Sequence, residues 1–373
     1  MKKLNLSRTK KHVDKIAEHD FKNNKVFGSC YSVYQKNNFD LYRCYGTVGV
    51  STTEKVTEKT VFRLASMTKP VTAVAVLLLA ERGLLSLDDT IDRYIPGFSD
   101  IHIKDADGKD LGAPQKLPKI RNLLSHNSGL GSDIRKLEKM TAEDYESIDS
   151  TIEYLLRAGL DFEPESMQYY SPTAAFDVAV KIAETVTGRD FQDFLSEEIF
   201  TPLEMTDTTF IPTPEQRGRI IAMHCNKDGK NAEKEMPGDT VFENVPEKHY
   251  LGGGGLVSTL EDYGKFAKML LDKGVSQTGK RILKEETLLK MTEPQIAINK
   301  NQSWGLGVRV ITHKSYPHLP MGCFGWSGAY GTHFFIDPKN GISAVFMKNS
   351  AVDGGAGNKS AVKLERAVYS FFG

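Results

Sequence analysis

Residues 62–70 read Phe-Arg-Leu-Ala-Ser-Met-Thr-Lys-Pro, and the almost wholly apolar residues 71–80 follow them. This pattern predicts a short extended piece that runs into a buried helix, beginning near Ser66 and stopped by Gly83. Side chains three residues apart on a helix are neighbours, so Ser66 and Lys69 should lie on one face. A hydroxyl nucleophile and an amine that accepts its proton need that spacing.

The length and charge of the chain restrict its class and its partners. With 373 residues it exceeds one average core, so two lobes or one large domain with insertions both fit. Lys plus Arg equals Asp plus Glu at 48 each, which argues against nucleic acid and anionic membranes as partners. The apolar residues 71–80 are about half of what a bilayer crossing requires.

The cysteines, the histidines and the N-terminal segment show no pattern typical of a redox pair, a metal site or a secretory signal. No Cys-x-x-Cys pair is present, so buried free thiols are predicted for the four cysteines, which are Cys30, Cys44, Cys225 and Cys323. The basic N-terminus lacks the apolar core of a secretory signal, which predicts a cytoplasmic protein. No His-x-x-x-His or His-Glu-x-x-His pair and no cofactor motif appears, so neither a metal nor a cofactor is expected.

Strand-like patterns lie at both ends of the chain, with helical patterns between them. Residues 28–49 predict a hairpin, and several β-rich runs after Trp304 predict an antiparallel meander. The economical architecture is an α+β fold: the terminal segments form one antiparallel sheet flanked by helices, and a largely helical lobe is inserted between them. We place the sheet lobe at residues 1–65 and 290–373, the helical lobe at 66–289, and the active site at their seam.

Three segments of the helical lobe invite functional interpretations. Residues 202–250 have an irregular pattern, which predicts a long connection or a lid. His126 and Ser128 cannot face each other at this spacing on a helix, so a hydrogen-bonded structural histidine is favoured over a hydrolase pair. The four glycines at 252–255 lack the Gly-Lys-Ser/Thr of a phosphate loop, which favours close backbone packing beside a site.

Nucleophilic attack by Ser66 depends on a neighbouring proton acceptor. A serine hydroxyl is a poor nucleophile until a neighbour takes its proton. Lys69 can do so only in its neutral form, and burial beside the apolar helix disfavours the charged form. Alternatively, a tyrosine held partly as phenolate by the charge of the lysine is the base. The residues alone leave this choice open.

Several motifs occur in an order that resembles the class C β-lactamase-like serine hydrolases. Besides residues 62–69, they are Glu-Arg-Gly-Leu-Leu-Ser-Leu-Asp-Asp at 81–89, Leu-Leu-Ser-His-Asn-Ser-Gly-Leu at 123–130, Leu-Gly-Gly-Gly-Gly-Leu-Val-Ser-Thr at 251–259, and Gly-Trp-Ser-Gly-Ala-Tyr-Gly-Thr-His-Phe-Phe-Ile-Asp-Pro at 325–338. The resemblance covers about residues 26–350. It implies a β-lactamase/transpeptidase-like fold and a serine that is acylated.

The resemblance also assigns roles to individual residues. In that family the Ser-x-x-Lys serine is the nucleophile, a tyrosine of a Tyr-x-Asn motif moves protons, and a Lys-Thr-Gly strand flanks the pocket. Ser66, Lys69 and Tyr170 take the first roles. Trp326-Ser327-Gly328 stands where Lys-Thr-Gly would be, and the backbone N–H groups of Ser66 and Ala329 are the expected oxyanion hole.

Two departures from the family pattern indicate the substrate. Pro172 stands where the lactamases carry Asn, so no side-chain amide is present to bind a substrate amide. Trp326 stands where they carry Lys, so the cation that would meet a lactam or peptide carboxylate is absent. These changes favour an ester, and they resemble the family VIII carboxylesterases. We expect Pro172, Trp326, Ser327 and Gly328 to line the substrate pocket.

The sequence therefore predicts a serine carboxylesterase that forms an acyl-enzyme on Ser66 from small or aromatic esters, with acyl transfer as a second outcome. Two alternatives stay open. One is a weak β-lactamase or D-amino-acid peptidase, and the other is a penicillin-binding or pseudoenzyme sensor without turnover. The expected partner is a small-molecule ester or amide, and the oligomeric state is undetermined.

Overall fold

The computed structural model describes residues 3–236 and 249–369. The α-helices are α1 (Leu6–Lys22), α2 (Thr68–Glu81), α3 (Ile120–Leu124), α4 (Ile134–Leu137), α5 (Ile148–Ala158), α6 (Ala174–Thr187), α7 (Phe191–Leu195), α8 (Pro214–Gly218), α9 (Leu260–Leu271), α10 (Glu285–Thr292) and α11 (Lys359–Tyr369). The strands are β1 (Gly28–Gln35), β2 (Phe39–Gly46), β3 (Val61–Arg63), β4 (Ile103–Lys104), β5 (Asp110–Gly112), β6 (Met223–Lys227), β7 (Lys230–Lys234), β8 (Val257–Thr259), β9 (Ile296–Asn299), β10 (Gln302–Trp304), β11 (Arg309–Ile311), β12 (Phe324–Ser327), β13 (His333–Asp337) and β14 (Ile342–Met347).

The largest sheet has eight strands in the order β2-β1-β14-β13-β12-β11-β10-β9, and neighbouring strands are antiparallel. Its strands come from the N-terminal hairpin and the C-terminal meander, and β1 pairs with β14 to join them, with Tyr31 opposite Phe346. All intervening helices are therefore an insertion between the two halves of one sheet. The predicted α+β fold class is confirmed, while the lobe boundaries stay a prediction.

Helices cover both faces of this sheet. On one face α1 and α11 pack together, and their Val13 and Leu364 share a core with Phe335 of β13. On the other face lies α9, whose Tyr263 ring makes an edge contact with Phe334 at 5.4 Å. Successive residues of a strand point to opposite faces, so Phe334 and Phe335 enter different cores.

Helix α2 lies at the centre of the larger core. Its residues 68–79 are all buried, as expected for a helix that is apolar on every side. Strand β3 pairs with β8, and the 3₁₀ turn Ala65–Met67 joins β3 to α2. Gly83 adopts a φ of +72° after the helix, as the sequence predicts. Neither α2 nor any other helix in the described part of the chain is long and apolar enough to cross a membrane.

The segment 202–250 is less irregular than its sequence pattern indicates. Its described residues include α8 and the hairpin of β6 and β7. Asp228 and Gly229 turn this hairpin, with φ of +53° and +75°. Asp-Gly between two strands is a common hairpin signal, so the element was recognisable. The lid prediction covers residues 202–250, of which 237–248 lie outside the described residues.

The prediction of four free thiols is wrong for Cys30 and Cys44. The register of β1 and β2 sets these residues directly opposite each other, with Cα atoms 4.2 Å apart, and they form a disulfide. The sequence could not show this because the pairing depends on the hairpin register. Cys225 and Cys323 are free. The cytoplasmic location stays a prediction.

Candidate active site

Ser66 lies in a constrained turn between β3 and α2. The residue before it, Ala65, has a φ of +47°, a left-handed conformation that non-glycine residues adopt at a cost. Two hydrogen bonds hold the preceding residue. The Leu64 N–H donates to the Leu256 carbonyl at 2.9 Å, and the Thr332 hydroxyl donates to the Leu64 carbonyl at 2.7 Å. The turn is thus fixed from two sides.

Gly328 lets the end of β12 approach this turn. A Cβ atom at Gly328 would lie 2.2 Å from the Leu64 carbonyl oxygen, so a larger residue would push the two segments apart. The next residue, Ala329, is exposed, and its N–H donates to no backbone carbonyl of the described residues. This N–H is free to meet a ligand, as the predicted oxyanion role requires.

Lys69 is completely buried and its ammonium has three acceptors. Nζ donates to the Pro172 carbonyl at 2.5 Å, to the Gly253 carbonyl at 2.7 Å and to Ser66 Oγ at 3.3 Å. Three acceptors match the three N–H donors of a lysine. Gly253 is required here, because a Cβ atom would lie 2.6 Å from the Pro172 oxygen. The contact of Lys69 with Ser66 follows from their spacing, whereas neither carbonyl was predicted.

Tyr170 completes the cluster around Ser66. Its hydroxyl donates to Ser66 Oγ at 2.6 Å, and Lys69 Nζ lies 4.9 Å from the centre of its ring. The Trp326 Nε1–H donates to the Tyr170 oxygen at 3.4 Å. The structure therefore brings Ser66, Lys69, Tyr170 and Trp326 together. Trp326 supplies an N–H donor as well as the flat apolar surface that was predicted.

Two tryptophans form an aromatic wall beside Tyr170. Trp304 stacks on the Tyr170 ring at 5.9 Å, and its own ring makes an edge contact with Trp326 at 4.6 Å. The Trp304 Nε1–H donates to the Gln168 side chain at 3.0 Å. These are the two tryptophans of the whole chain. Their rarity was the available signal for Trp304, which the sequence analysis did not assign to the site.

The His126 ring packs against the Tyr170 ring. Its Nδ1 accepts the Ser171 N–H at 3.2 Å, and its ring lies 4.6 Å from the Tyr170 ring. Burial, together with the positive charge of Lys69, holds the pKa of His126 well below its usual value. The ring is therefore neutral at pH 7, with its proton on Nε2. His126 is hydrogen-bonded as predicted, and it also contacts the site.

Ser327 is directed away from the other predicted pocket residues. Its hydroxyl lies 2.8 Å from His333 Nδ1 on the neighbouring strand, on the sheet face opposite to Trp326. His333 Nε2 is 3.3 Å from the Glu365 carboxylate, which also accepts a hydrogen bond from Arg309 at 2.7 Å. Only the backbone of Ser327 can therefore face the pocket, while its side chain belongs to a buried polar chain behind the sheet.

This polar chain gives the fold a predictable acid response. Burial alone raises the pKa of Glu365, but the His333 hydrogen bond and the Arg309 charge outweigh it and lower the pKa to about 2. The unfolded carboxyl titrates near 4.3, so the unfolded chain binds more protons between these values. The stabilisation is complete above about pH 4.5 and is lost as the pH falls towards 2.

Thermal melts should show Tm falling more steeply between about pH 4.5 and 2 in wild type than in Glu365→Gln. Equal slopes, with exposed Glu138→Gln matching wild type, would contradict the assignment.

The arrangement is suited to acyl transfer. Ser66 carries the hydroxyl, and two groups that can accept or return its proton lie within hydrogen-bond distance of Oγ. The Lys69 ammonium lies 4.9 Å from the centre of the Tyr170 ring, whose oxygen would become the phenolate. Among residues 3–236 and 249–369, no group of three or more His, Cys, Asp or Glu side chains is placed to hold a metal ion.

An antiparallel sheet with helices on both faces and a Ser-x-x-Lys segment at the start of a buried helix is the β-lactamase/transpeptidase-like fold of serine hydrolases. The Beta-lactamase family model matches residues 13–367, and the chain belongs to this family. Protein Rv1367c of Mycobacterium tuberculosis (strain ATCC 25618 / H37Rv) is 28% identical over a 345-position alignment that covers 84% of this chain and 84% of that one. Esterase EstB of Burkholderia gladioli is 26% identical over a 390-position alignment that covers 96% of this chain and 94% of that one.

Solved structures agree on the fold. The structure titled EstCE1, a hydrolase with promiscuous acyltransferase activity, superposes with a TM-score of 0.82 at 24% identity. The match covers 97% of this chain and 99% of that one. The whole described architecture, rather than a fragment of it, is therefore shared.

Proposed function

We propose that this protein is a serine carboxylesterase that forms an acyl-enzyme on Ser66. The observation that carries the proposal is the cluster in which Ser66 Oγ lies 2.6 Å from the Tyr170 hydroxyl and 3.3 Å from Lys69 Nζ. Nucleophilic catalysis by a serine requires a neighbouring group that accepts the hydroxyl proton, and Ser66 has two such neighbours. Its substrate is a small or aromatic uncharged ester.

The proposed cycle moves one proton in each half-reaction. Tyr170, in the phenolate form that the charge of Lys69 stabilises, takes the Ser66 proton as Oγ bonds to the ester carbonyl carbon. The N–H groups of Ser66 and Ala329 stabilise the tetrahedral oxyanion. Collapse breaks the bond to the alcohol oxygen, which leaves with the proton from Tyr170. Water then gives its proton to Tyr170, attacks the acyl carbon and releases the acid, and the proton returns to Ser66. An alcohol in place of water completes acyl transfer.

The surroundings of the nucleophile favour an ester over a lactam or peptide. Trp326 places an indole where a cation would meet the carboxylate of a lactam, and Pro172 offers its carbonyl to Lys69 rather than an amide to the substrate. An ester needs less assistance, because an alcohol is a better leaving group than an amine. The name of EstB, which aligns over nearly the whole chain, supports the same assignment.

The test is a comparison of two reactions in one preparation. We expect steady hydrolysis of p-nitrophenyl acetate or butyrate with kcat/KM at least about tenfold above that for nitrocefin, a difference of about 1.4 kcal/mol in transition-state binding. Intact-mass spectrometry of the quenched reaction should show one acyl group on Ser66. A preference for nitrocefin would instead assign a β-lactamase. Stoichiometric labelling without turnover would assign a sensor.

A further inference from the structure

A cavity of about 570 Å³ opens beside Tyr170, within the range of small-molecule sites. We call it the Tyr170 cavity. Its apolar wall consists of Ile134, Phe162, Tyr169 and Pro172, together with the Tyr170 ring. Because the Tyr170 hydroxyl lies 2.6 Å from Ser66 Oγ, a group bound in this cavity would be attached close to the reacting ester bond.

The charges that line the cavity are already neutralised by one another. Asp161 lies 2.6 Å from the buried Lys136 ammonium, and its other oxygen accepts the N–H groups of Ser132 and Asp133. Asp133 pairs with Arg135 at 2.6 Å. Two of the three charged side chains in the lining, Asp133 and Asp161, are carboxylates, so a substrate carboxylate in the cavity would meet like charges. The lining therefore disfavours a charged substrate group.

The mouth of the cavity exposes apolar surface. Ile134 is 52% exposed and Tyr169 is 61% exposed, although both are large apolar side chains. Covering such surface is favourable by about 25 cal/mol per Å². Two exposed apolar side chains in a cavity that Tyr170 also lines are placed to pack on an apolar substrate group.

We propose that the Tyr170 cavity binds the larger apolar group of an uncharged ester, branched-alkyl or aromatic, and that Ile134 is a specificity-determining residue within it. The inference rests on the proposed esterase function and names its substrate class. Ile134 contributes binding of the apolar group and takes no part in proton transfer. Its replacement should therefore act on bulky substrates and spare small ones.

The test separates binding in the cavity from turnover. Full-length wild type, Ile134→Asp and Leu111→Asp are each treated with a small methyl and a bulky phenylalkyl fluorophosphonate, whose phosphorus bonds to Ser66 Oγ with loss of fluoride. Leu111 is a matched control, since it is 58% exposed and does not line the cavity. The second-order labelling rate is followed by intact mass, and hydrolysis of p-nitrophenyl acetate, p-nitrophenyl butyrate and naphthyl acetate is measured in parallel.

We expect Ile134→Asp to slow labelling by the bulky probe at least about tenfold, because a carboxylate replaces apolar contact surface. Labelling by the small probe should stay within about twofold, and KM rather than kcat should rise for whichever bulky ester enters the cavity. Equal behaviour of Ile134→Asp and Leu111→Asp would overturn the inference. Wild type that is labelled but hydrolyses no ester would overturn the esterase proposal while the labelling rates still decide the cavity. Absence of any labelling would overturn both.

Discussion

Ser66→Ala is expected to lower kcat for p-nitrophenyl butyrate by at least about 10⁴-fold. The variant loses the oxygen that Lys69 and Tyr170 both contact. Among the described residues, neither side chain hydrogen-bonds to a second hydroxyl that could replace it. Removing one hydroxyl group from a half-buried side chain should leave the fold intact. Residual activity would come from oxyanion stabilisation and binding alone, and KM should change little.

The measurement combines steady-state kinetics with intact-mass labelling by a fluorophosphonate. Ser315→Ala, at an exposed serine on a distant loop, is the control and should match wild type in both readouts. Unchanged hydrolysis by Ser66→Ala, or undiminished labelling of the variant, would place the nucleophile elsewhere and refute the proposed function.

Lys69→Met is expected to lower kcat by about 10²- to 10⁴-fold, the range that proton-transfer groups contribute. Methionine keeps the length of the buried side chain but removes the ammonium. The carbonyls of Pro172 and Gly253 then lose their donor, and Tyr170 loses the charge that stabilises its phenolate. The effect should fall on kcat, because Lys69 contacts Ser66 rather than the bound ester.

Burial makes a folding defect the competing explanation for this variant. Lys268→Met is the matched control: Lys268 is a buried lysine that forms an ion pair with Asp40 and donates to the Tyr42 hydroxyl at 3.0 Å, away from the site. Both variants should lower Tm, because each removes a buried ammonium and leaves its hydrogen-bond acceptors without a donor. Only Lys69→Met should lose kcat per labelled Ser66. Similar losses of kcat in both variants would make Lys69 a structural residue.

Local patterns predicted the parts of the fold that depend on near neighbours. The apolar residues 71–80 predicted the buried helix, and the spacing of Ser66 and Lys69 predicted their contact. Strand-like sequence patterns at the two ends of the chain predicted a sheet assembled from distant segments. Tyr170 was different, because one tyrosine among fourteen carries no local signal, and only the resemblance to a family selected it.

The remaining features depend on tertiary register, which no local pattern encodes. The carbonyl of Pro172 acts through the backbone, and every residue has a carbonyl, so its side chain gave no indication. Ser327 was placed in the pocket by sequence position, but strand alternation turns its hydroxyl to the opposite face. Cys30 and Cys44 meet only because the hairpin register sets them opposite each other.

The two carbonyls that hold Lys69 also set the order in which the site can mature. They belong to residues 103 and 184 positions further along the chain. A ribosome synthesises the N-terminus first, so Ser66 and Lys69 emerge long before Gly253 has been added. The nascent protein therefore carries a hydroxyl and an amine without the backbone that orients them. The orientation of Lys69 against Ser66 therefore depends on residues that are added much later, up to Gly253.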